Sequence, residues 1–415
     1  MFIKHLSLAS FRNYKNAEIA LQPGVNLLVG PNGQGKTNLV EAIRYLSTLS
    51  SHRVAGYLPL IKQDEGQAAV RAMASHADRD ILIEIELNRD SPNKARVNKS
   101  PVPRVRDILG LVNSVTFAPE DLDIVKRDPT NRRAFIDELV VQVWPRFAGV
   151  YSDYERVLKQ RNTLLKTARQ TGAKGSALST LDAWDQSLVS YGSEIIAARV
   201  DLVERLRPHL FDAYQSIAIA NNEPRILVKS SLLGTSIPSG WGDDDDSEDL
   251  EYIQTADRTE IEALYSAKLA TVRGKELERG ITLVGPHRDD LVLMLGTLPA
   301  KGYASHGESW SYALALRLAS IALLRAETRT GDPILILDDV FAELDAGRRA
   351  RLAGMVAGNE QVLITAAVAE DVPEELIATV FHVKHGEVSG AGDNAGALED
   401  AYESQENSGS EASNG

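Results

Sequence analysis

Residues Gly30-Pro-Asn-Gly-Gln-Gly-Lys-Thr37 stand between an apolar run, Val25–Val29, and a helical pattern, Asn38–Leu49. Strand, glycine-rich loop, Lys-Thr and helix in that order make a phosphate-binding loop. The chemistry explains the residue types. Gly30, Gly33 and Gly35, with Pro31, Asn32 and Gln34 between them, let the backbone curl so that its N–H groups face an anion. Lys36 can reach the β- and γ-phosphates of a nucleotide, and the Thr37 hydroxyl can ligate Mg2+. Asn38 opens the helix that follows. A chance glycine-rich turn would not combine the spacing, the Lys-Thr pair and both flanks. The pattern predicts a nucleoside triphosphate site.

Near the other end of the chain, Pro333-Ile-Leu-Ile-Leu-Asp338-Asp339 is an apolar strand closed by two carboxylates. The first, Asp338, is expected to hold Mg2+ directly or through water. The second, Asp339, stands where a general base could polarise an attacking water. An apolar strand running into an acidic turn is common; its weight here comes from the loop at 30–37. Between the two lies Ser305-His-Gly-Glu308, directly before the helical run Ser309–Arg329. Ser305 and Gly307 can present a hydroxyl and a helix N-terminus to a phosphate. Alone, the same residues read as an ordinary helix cap.

Phosphate loop, Ser-x-Gly, strand-Asp-Asp and then Ala342-Glu-Leu-Asp345 together resemble an ABC-type ATPase head. The fold class this implies is α/β, a mixed sheet with helices. More closely, the chain resembles the RecF family of bacterial recombination mediators, whose heads are of the SMC kind. The resemblance is carried by Leu6-Ser-Leu-Ala-Ser-Phe-Arg-Asn-Tyr14, the loop through Asn38, Ser51-His52-Arg53, Phe117-Ala-Pro-Glu120-Asp121-Leu122 and Arg132-Arg133-x-Phe-Ile-Asp137. It continues in Thr282-Leu-Val-Gly-Pro-His287-Arg288-Asp289-Asp290 and Pro333 to Asp345. It spans about residues 1–385, and the later motifs are far more specific than the phosphate loop.

That resemblance implies an ATP-dependent homodimer with ATP and Mg2+ as cofactors. ATP on the loop of one subunit would meet Ser305, Gly307, Glu308 and Asp345 of the other. The dimer would grip DNA, single- and double-stranded, at gaps. A slow, DNA-stimulated hydrolysis would release it, with Asp339 as base and Glu120 or Glu308 next in line. The implied setting is cytoplasmic DNA repair, replication and the SOS response, helping RecA load with RecO and RecR. Two features depart from transporter heads. Asp339 replaces the usual Glu, and a shorter carboxylate favours slow turnover. Thr365, in Gln361-Val-Leu-Ile-Thr365-Ala-Ala, stands near the place of the usual switch histidine.

Composition narrows the setting. The 415 residues suffice for two domains, or for one large head with an insertion, and 43% are apolar. There is no Cys, which excludes disulfides, thiolate metal sites and Cys nucleophiles. Met1-Phe-Ile-Lys-His lacks a signal peptide's apolar stretch, and no run approaches a membrane span, so a soluble cytoplasmic protein without a membrane partner is expected. Net charge is −13, which by itself argues against nucleic acid. Its distribution softens that. Residues 243–251 and 386–415 hold seven acids each, which leaves 44 of the 58 acids against 45 Lys and Arg elsewhere. The first stretch reads as a solvated loop, the second as a disordered tail.

Strand patterns occur at Phe2–Leu8, Ala17–Leu21, Val25–Val29, Ala68–Ser75, Ile81–Leu87 and Val112–Phe117. They return at Ile281–Val284, Leu291–Leu295, Ile334–Leu337, Val362–Thr365 and Val380–Val383. Between Glu120 and about Gly280 the signal is mostly helical, clearest at Pro145–Arg169 and Leu181–Arg207. The expected organisation is a discontinuous head, 1–119 plus 281–385, with a helical arm at 120–280 and a tail at 386–415. A helix of about 25 residues would be roughly 40 Å long, an arm rather than the long coil of condensin-like proteins.

DNA contacts are expected on that arm. Segment 145–170 carries Arg146, Arg156, Lys159, Arg161, Lys166 and Arg169 against Asp153 and Glu155, with Lys126, Arg127, Arg132 and Arg133 just upstream. Such clusters suit phosphate contacts, which position without reading sequence. The alternative for each is a solvated helix face, and Arg132 and Arg133 could instead pair with Asp137 or brace the head. The His287–Asp290 motif could contact nucleotide or DNA, or tie the returning chain by ion pairs. Two other function classes stay open at this level. One is the ATPase subunit of a transport or SMC-like structural assembly. The other is a P-loop GTPase or kinase, which lacks an Asn/Thr-Lys-x-Asp motif here and leaves Ser305 unexplained.

Overall fold

A computed structural model describes residues 1–77, 79–172, 179–218, 222–233, 252–254, 256–376 and 379–390. The acidic stretch at 243–251 and the tail beyond residue 390 lie outside the described residues. The chain divides into two compact units, residues 1–119 with 324–415, and residues 120–323.

In the first unit, β1 (Phe2–Phe11), β2 (Tyr14–Ala20), β3 (Gly24–Val29) and α1 (Lys36–Thr48) open the chain. They are followed by β4 (Gln67–His76), β5 (Arg79–Asn88), β6 (Lys94–Val97), β7 (Ser100–Pro101) and β8 (Ser114–Phe117). One antiparallel sheet has the order β2-β1-β4-β5-β6-β7. Its strands alternate: in β4, Ala68, Val70, Ala72 and Ala74 face the core.

The second unit begins with α2 (Leu122–Lys126), α3 (Pro129–Val143), α4 (Phe147–Thr171) and α5 (Ser179–Ile217). It continues with β9 (Pro224–Lys229), α6 (Arg258–Arg279), β10 (Asp290–Leu295), β11 (Leu298–Pro299), the short α7 (Ala300–Tyr303) and α8 (His306–Glu327). Helices α4, α5 and α6 pack on one another, and β11-β10-β9 form a small antiparallel sheet. The period of α4 buries Tyr154, Val157, Arg161, Leu165 and Ala168 on one stripe.

The chain returns to the first unit with β12 (Ile334–Asp338), α9 (Ala346–Val356), β13 (Gln361–Ala366), β14 (Thr379–Lys384) and β15 (Glu387–Gly390). These build the second sheet, β15-β14-β3-β13-β12-β8, parallel from β14 through β8. β12 and β13 are buried along their whole length, as a parallel sheet covered on both faces requires. Helix α1 packs against β8, β12 and β13 of this sheet and β4 of the other.

Three expectations change. Ile281–Val284 is irregular, not a strand. Residues 281–323 cluster with the second unit, because β10 pairs with β9 rather than with the sheet of β3. Residues 387–390, read by composition as tail, form β15 on β14. Among the described residues no helix is long and apolar enough to cross a membrane.

Candidate functional site

In the first unit the loop after β3 is shaped by its glycines. Gly33 has φ of 80° and Gly35, the residue before α1, has φ of 117°. A Cβ on Gly35 would lie 2.6 Å from the Asn13 amide and 2.7 Å from the Tyr14 hydroxyl, so the loop admits only glycine there. Those neighbours clasp the loop: Tyr14 Oη donates to the Gly35 carbonyl at 3.1 Å and Asn13 Nδ2 to the Gln34 carbonyl at 3.0 Å. The Asn38 amide donates to Asn13 Oδ1, and Gln34 Oε1 accepts the His385 N–H, both at 2.7 Å. The first turn of α1 carries no acid, so its N-terminal N–H groups stay suited to an anion. Buried Lys36 donates to the carbonyls of Gly30 at 2.7 Å and Pro31 at 3.2 Å.

β12 brings Asp338 to the same place. Its Oδ1 accepts from Thr37 Oγ1 at 3.0 Å and from Thr365 Oγ1, on neighbouring β13, at 2.7 Å. The two hydroxyls and the carboxylate are hard oxygen donors of the kind Mg2+ takes. That ion is usually held by one or two protein oxygens, with phosphate and water filling the rest. The residues fit Mg2+, which Thr37 and Asp338 would hold. Asp339 follows with φ of 52°. Burial, and then the charge of Asp338, raise its carboxyl above the ordinary value, against the pull of Lys36 and Thr365. Asp345 caps α9, accepting the Arg348 N–H at 2.9 Å.

In the sequence Thr365 reads only as standing near the place of a usual histidine. Here it ties the two acids together, donating to Asp338 and accepting the Asp339 N–H at 2.9 Å. The Asn13–Tyr14 clasp was also missed as part of the site. Its signal is the Arg-Asn-Tyr motif, whose partner 21 residues on is fixed only by the fold.

In the second unit, Ser305 and Glu308 form a reciprocal cap on α8. Ser305 N–H and Oγ donate to Glu308 Oε2 at 2.9 and 2.7 Å, and the Glu308 N–H donates back to Ser305 Oγ at 3.2 Å. Glu308 Oε1 accepts from Asn222 at 2.9 Å, and its carboxyl is lowered, most by Ser305. Both Glu308 oxygens are thus engaged. Gly307 sits in the first turn of α8, beside His306, whose Nδ1 lies 3.0 Å from Lys126 Nζ. Glu120 is exposed in the turn before α2.

The arginines separate into two groups. Arg161 has no exposed side chain and is held by Asp185 at 2.7 Å, Glu276 at 2.6 Å and Thr282 at 2.8 Å. Burial alone would lower its pKa; Glu276 and Asp185 more than restore it. Arg132 is buried, forked onto Asp290 at 2.7 and 2.8 Å. Arg133 donates to the Asp289 carbonyl at 2.8 Å. The charges of Arg161 and Arg132 are paired with carboxylates inside the unit, so these two do not offer a phosphate contact. Arg127, Arg156 and Lys159 are exposed, and the two arginines pair with Asp123 and Asp153, four and three residues away. The helical period carried this signal: Arg161 lies four residues from both Val157 and Leu165 on the buried stripe.

The His287–Asp290 motif, read two ways from sequence, is an internal clamp. His287 Nδ1 meets the Tyr154 hydroxyl at 2.7 Å, Arg288 donates to the Thr282 carbonyl at 3.1 Å, and Asp289 Oδ1 accepts the Ser231 N–H at 2.7 Å. Asp137, an expected partner of Arg132 or Arg133, pairs instead with Arg199 at 2.7 and 2.8 Å.

This fold and this loop define an ATPase head of the ABC type. The model of the RecF/RecN/SMC N terminal domain family matches residues 2–388. The chain is 52% identical over 396 residues to the DNA replication and repair protein RecF of Clavibacter michiganensis subsp. michiganensis, covering 94% of this chain and 96% of that one. It is 53% identical over 400 residues to the same protein of Beutenbergia cavernae, covering 94% and 99%. A solved structure of the recombination mediator protein RecF-ATP in the RecFOR pathway is similar at TM-score 0.81 and 28% identity, covering 94% of this chain and 98% of that one. The chain belongs to the RecF family of DNA replication and repair proteins.

Proposed function

We propose that the chain is an ATP-switched, DNA-binding recombination mediator. The observation that carries this reading is the convergence of Lys36, Thr37 and Asp338, with Thr37 Oγ1 3.0 Å from the Asp338 carboxylate. A relative of known structure is described with ATP. Lys36 and the N–H groups of the loop bind the phosphates of ATP. Thr37 and Asp338 would hold Mg2+, which would neutralise phosphate charge. Asp339 accepts a proton from the attacking water, and its short side chain makes turnover slow.

A second subunit brings Ser305, Gly307 and Asp345 to the nucleotide, so ATP stabilises the dimer by linkage. The dimer grips DNA at single-strand/double-strand gaps in the cytoplasm, and DNA-stimulated hydrolysis releases it. Arg127, Arg156 and Lys159 are the proposed phosphate contacts. In this role the protein helps RecA load with RecO and RecR, in repair, in replication and in the SOS response.

Light scattering with ATP, with ADP and with gapped DNA tests the proposal. The expected result is a dimer with ATP alone, DNA binding that requires ATP, and loss of both in Lys36→Ala. A wild-type chain that stays monomeric at saturating ATP would sink it.

A further inference from the structure

Ser51-His52-Arg53 is a motif that the proposed reaction leaves without a role. The loop is bolted down at Ser51. Its hydroxyl donates to Glu41, and accepts the N–H groups of Arg53 at 3.0 Å and Val54 at 3.2 Å. Glu41 is itself fully buried and forked onto Arg12 at 2.6 and 2.8 Å. Arg53 adds a second tether, donating to Asn38 Oδ1 at 2.9 Å. An anchored loop of this kind fixes where the intervening side chain goes. His52 goes inward: 11% of its side chain is exposed, and its Nε2 lies 3.6 Å from Asp338 Oδ2.

Both ring nitrogens of His52 are shielded from solvent and have no hydrogen-bond partner among the described residues. A buried polar atom without a partner is costly, and this one faces a carboxylate whose two oxygens are unequally served. Oδ1 of Asp338 accepts two hydroxyls, from Thr37 and Thr365. Oδ2 faces His52.

We infer that His52 is a positioning residue of the metal site, the outer holder of Asp338. Its Nε2 fixes the second carboxylate oxygen, as Thr365 fixes the first, so that Asp338 and Thr37 present a set geometry to Mg2+. Outer partners of this kind orient a metal-holding carboxylate, and their loss costs about 10- to 100-fold in metal affinity. The loop also links this hold to Arg12 and Asn38 through Ser51 and Arg53. The inference rests on the proposed nucleotide site and adds to it which residue sets its metal dependence.

Calorimetric binding of ATP across a Mg2+ titration, and again in EDTA, tests it. For His52→Leu the expected result is a half-saturating Mg2+ concentration raised by about 10- to 100-fold, with metal-free ATP affinity unchanged. His52→Gln, whose amide N–H can stand in for Nε2–H, should keep most of the wild-type metal response. An unchanged Mg2+ midpoint in His52→Leu would overturn the inference. So would equal loss of affinity with and without metal, the mark of a loop that only shapes the pocket. Thr37→Ala is the reference: a midpoint it fails to move would overturn the metal assignment. A wild-type chain that binds no ATP would overturn the nucleotide reading, and this inference with it.

Discussion

Thr365 donates its hydroxyl to Oδ1 of Asp338 at 2.7 Å across two parallel strands. The Thr365 hydroxyl oxygen in turn accepts the Asp339 N–H, so one side chain engages both Asp338 and Asp339. The isosteric change Thr365→Val would leave a buried carboxylate oxygen and an N–H short of a partner. The expected cost is about 1–3 kcal/mol in urea unfolding, with weaker Mg2+-dependent ATP binding. Unchanged stability would show that neighbouring groups replace the hydroxyl.

Asp339→Asn should retain ATP binding and dimerisation but slow single-turnover hydrolysis by roughly 100-fold or more, prolonging the DNA-bound state. It has a second signature. The Asp339 carboxyl is raised by burial and by Asp338, so the folded chain holds its proton more tightly than the unfolded one. Its contribution to stability is therefore lost as pH rises from the ordinary carboxylate value through the raised one. Asp339→Asn should then be more stable than wild type at neutral pH, with the difference vanishing in acid. Turnover at the wild-type rate would move the base elsewhere, with Glu120 to be tested next.

The basic residues of the second unit give opposite expectations. Arg161→Leu breaks a fully buried pair with Glu276 and should cost about 3–5 kcal/mol of stability. Reversing Arg127, Arg156 and Lys159 to Glu should leave melting nearly unchanged. It should weaken DNA of every sequence alike and flatten the salt dependence of binding. Retained affinity and slope in that triple variant, with the fold intact by circular dichroism, would move the DNA surface off these residues.

His287 is an acid-sensitive point. Burial, then Arg288, push its pKa down to about 3, so the folded chain stays unprotonated where the unfolded chain binds a proton. Stability should fall as pH drops from about 6.5 toward that value, by roughly 1.4 kcal/mol for each pH unit in the window. His287→Gln should flatten this slope in urea titrations between pH 6.5 and 4. The same slope in the variant would assign the acid sensitivity to other groups.

Much of this was legible in the residues. The loop at 30–37, the strand to Asp338 and the cap at Ser305 are local patterns, each written within a dozen residues. Strand alternation and helical period gave most elements of both units. The failures came where local character was ambiguous. Ile281–Val284 is apolar enough for a strand, but its backbone turns into the His287 clamp. Glu387–Gly390 has tail-like composition, yet finds the open edge of β14.

The sequence by itself determined a phosphate-binding loop, a strand ending in two acids and a capped helix, the elements of an ABC-type ATPase. Those signals depend on backbone geometry and side-chain chemistry within single elements, which short-range physics specifies. Only the tertiary structure decided which charges are buried and what stands beside Asp338. Arg161 is spelled like its exposed neighbours, and its fate was set by Asp185 and Glu276, brought from other helices. Thr365 and His52 reach Asp338 from 27 residues downstream and from far upstream. Contacts of that separation form only when the sheet and its flanking loop assemble, because sequence spacing carries no record of distance through space.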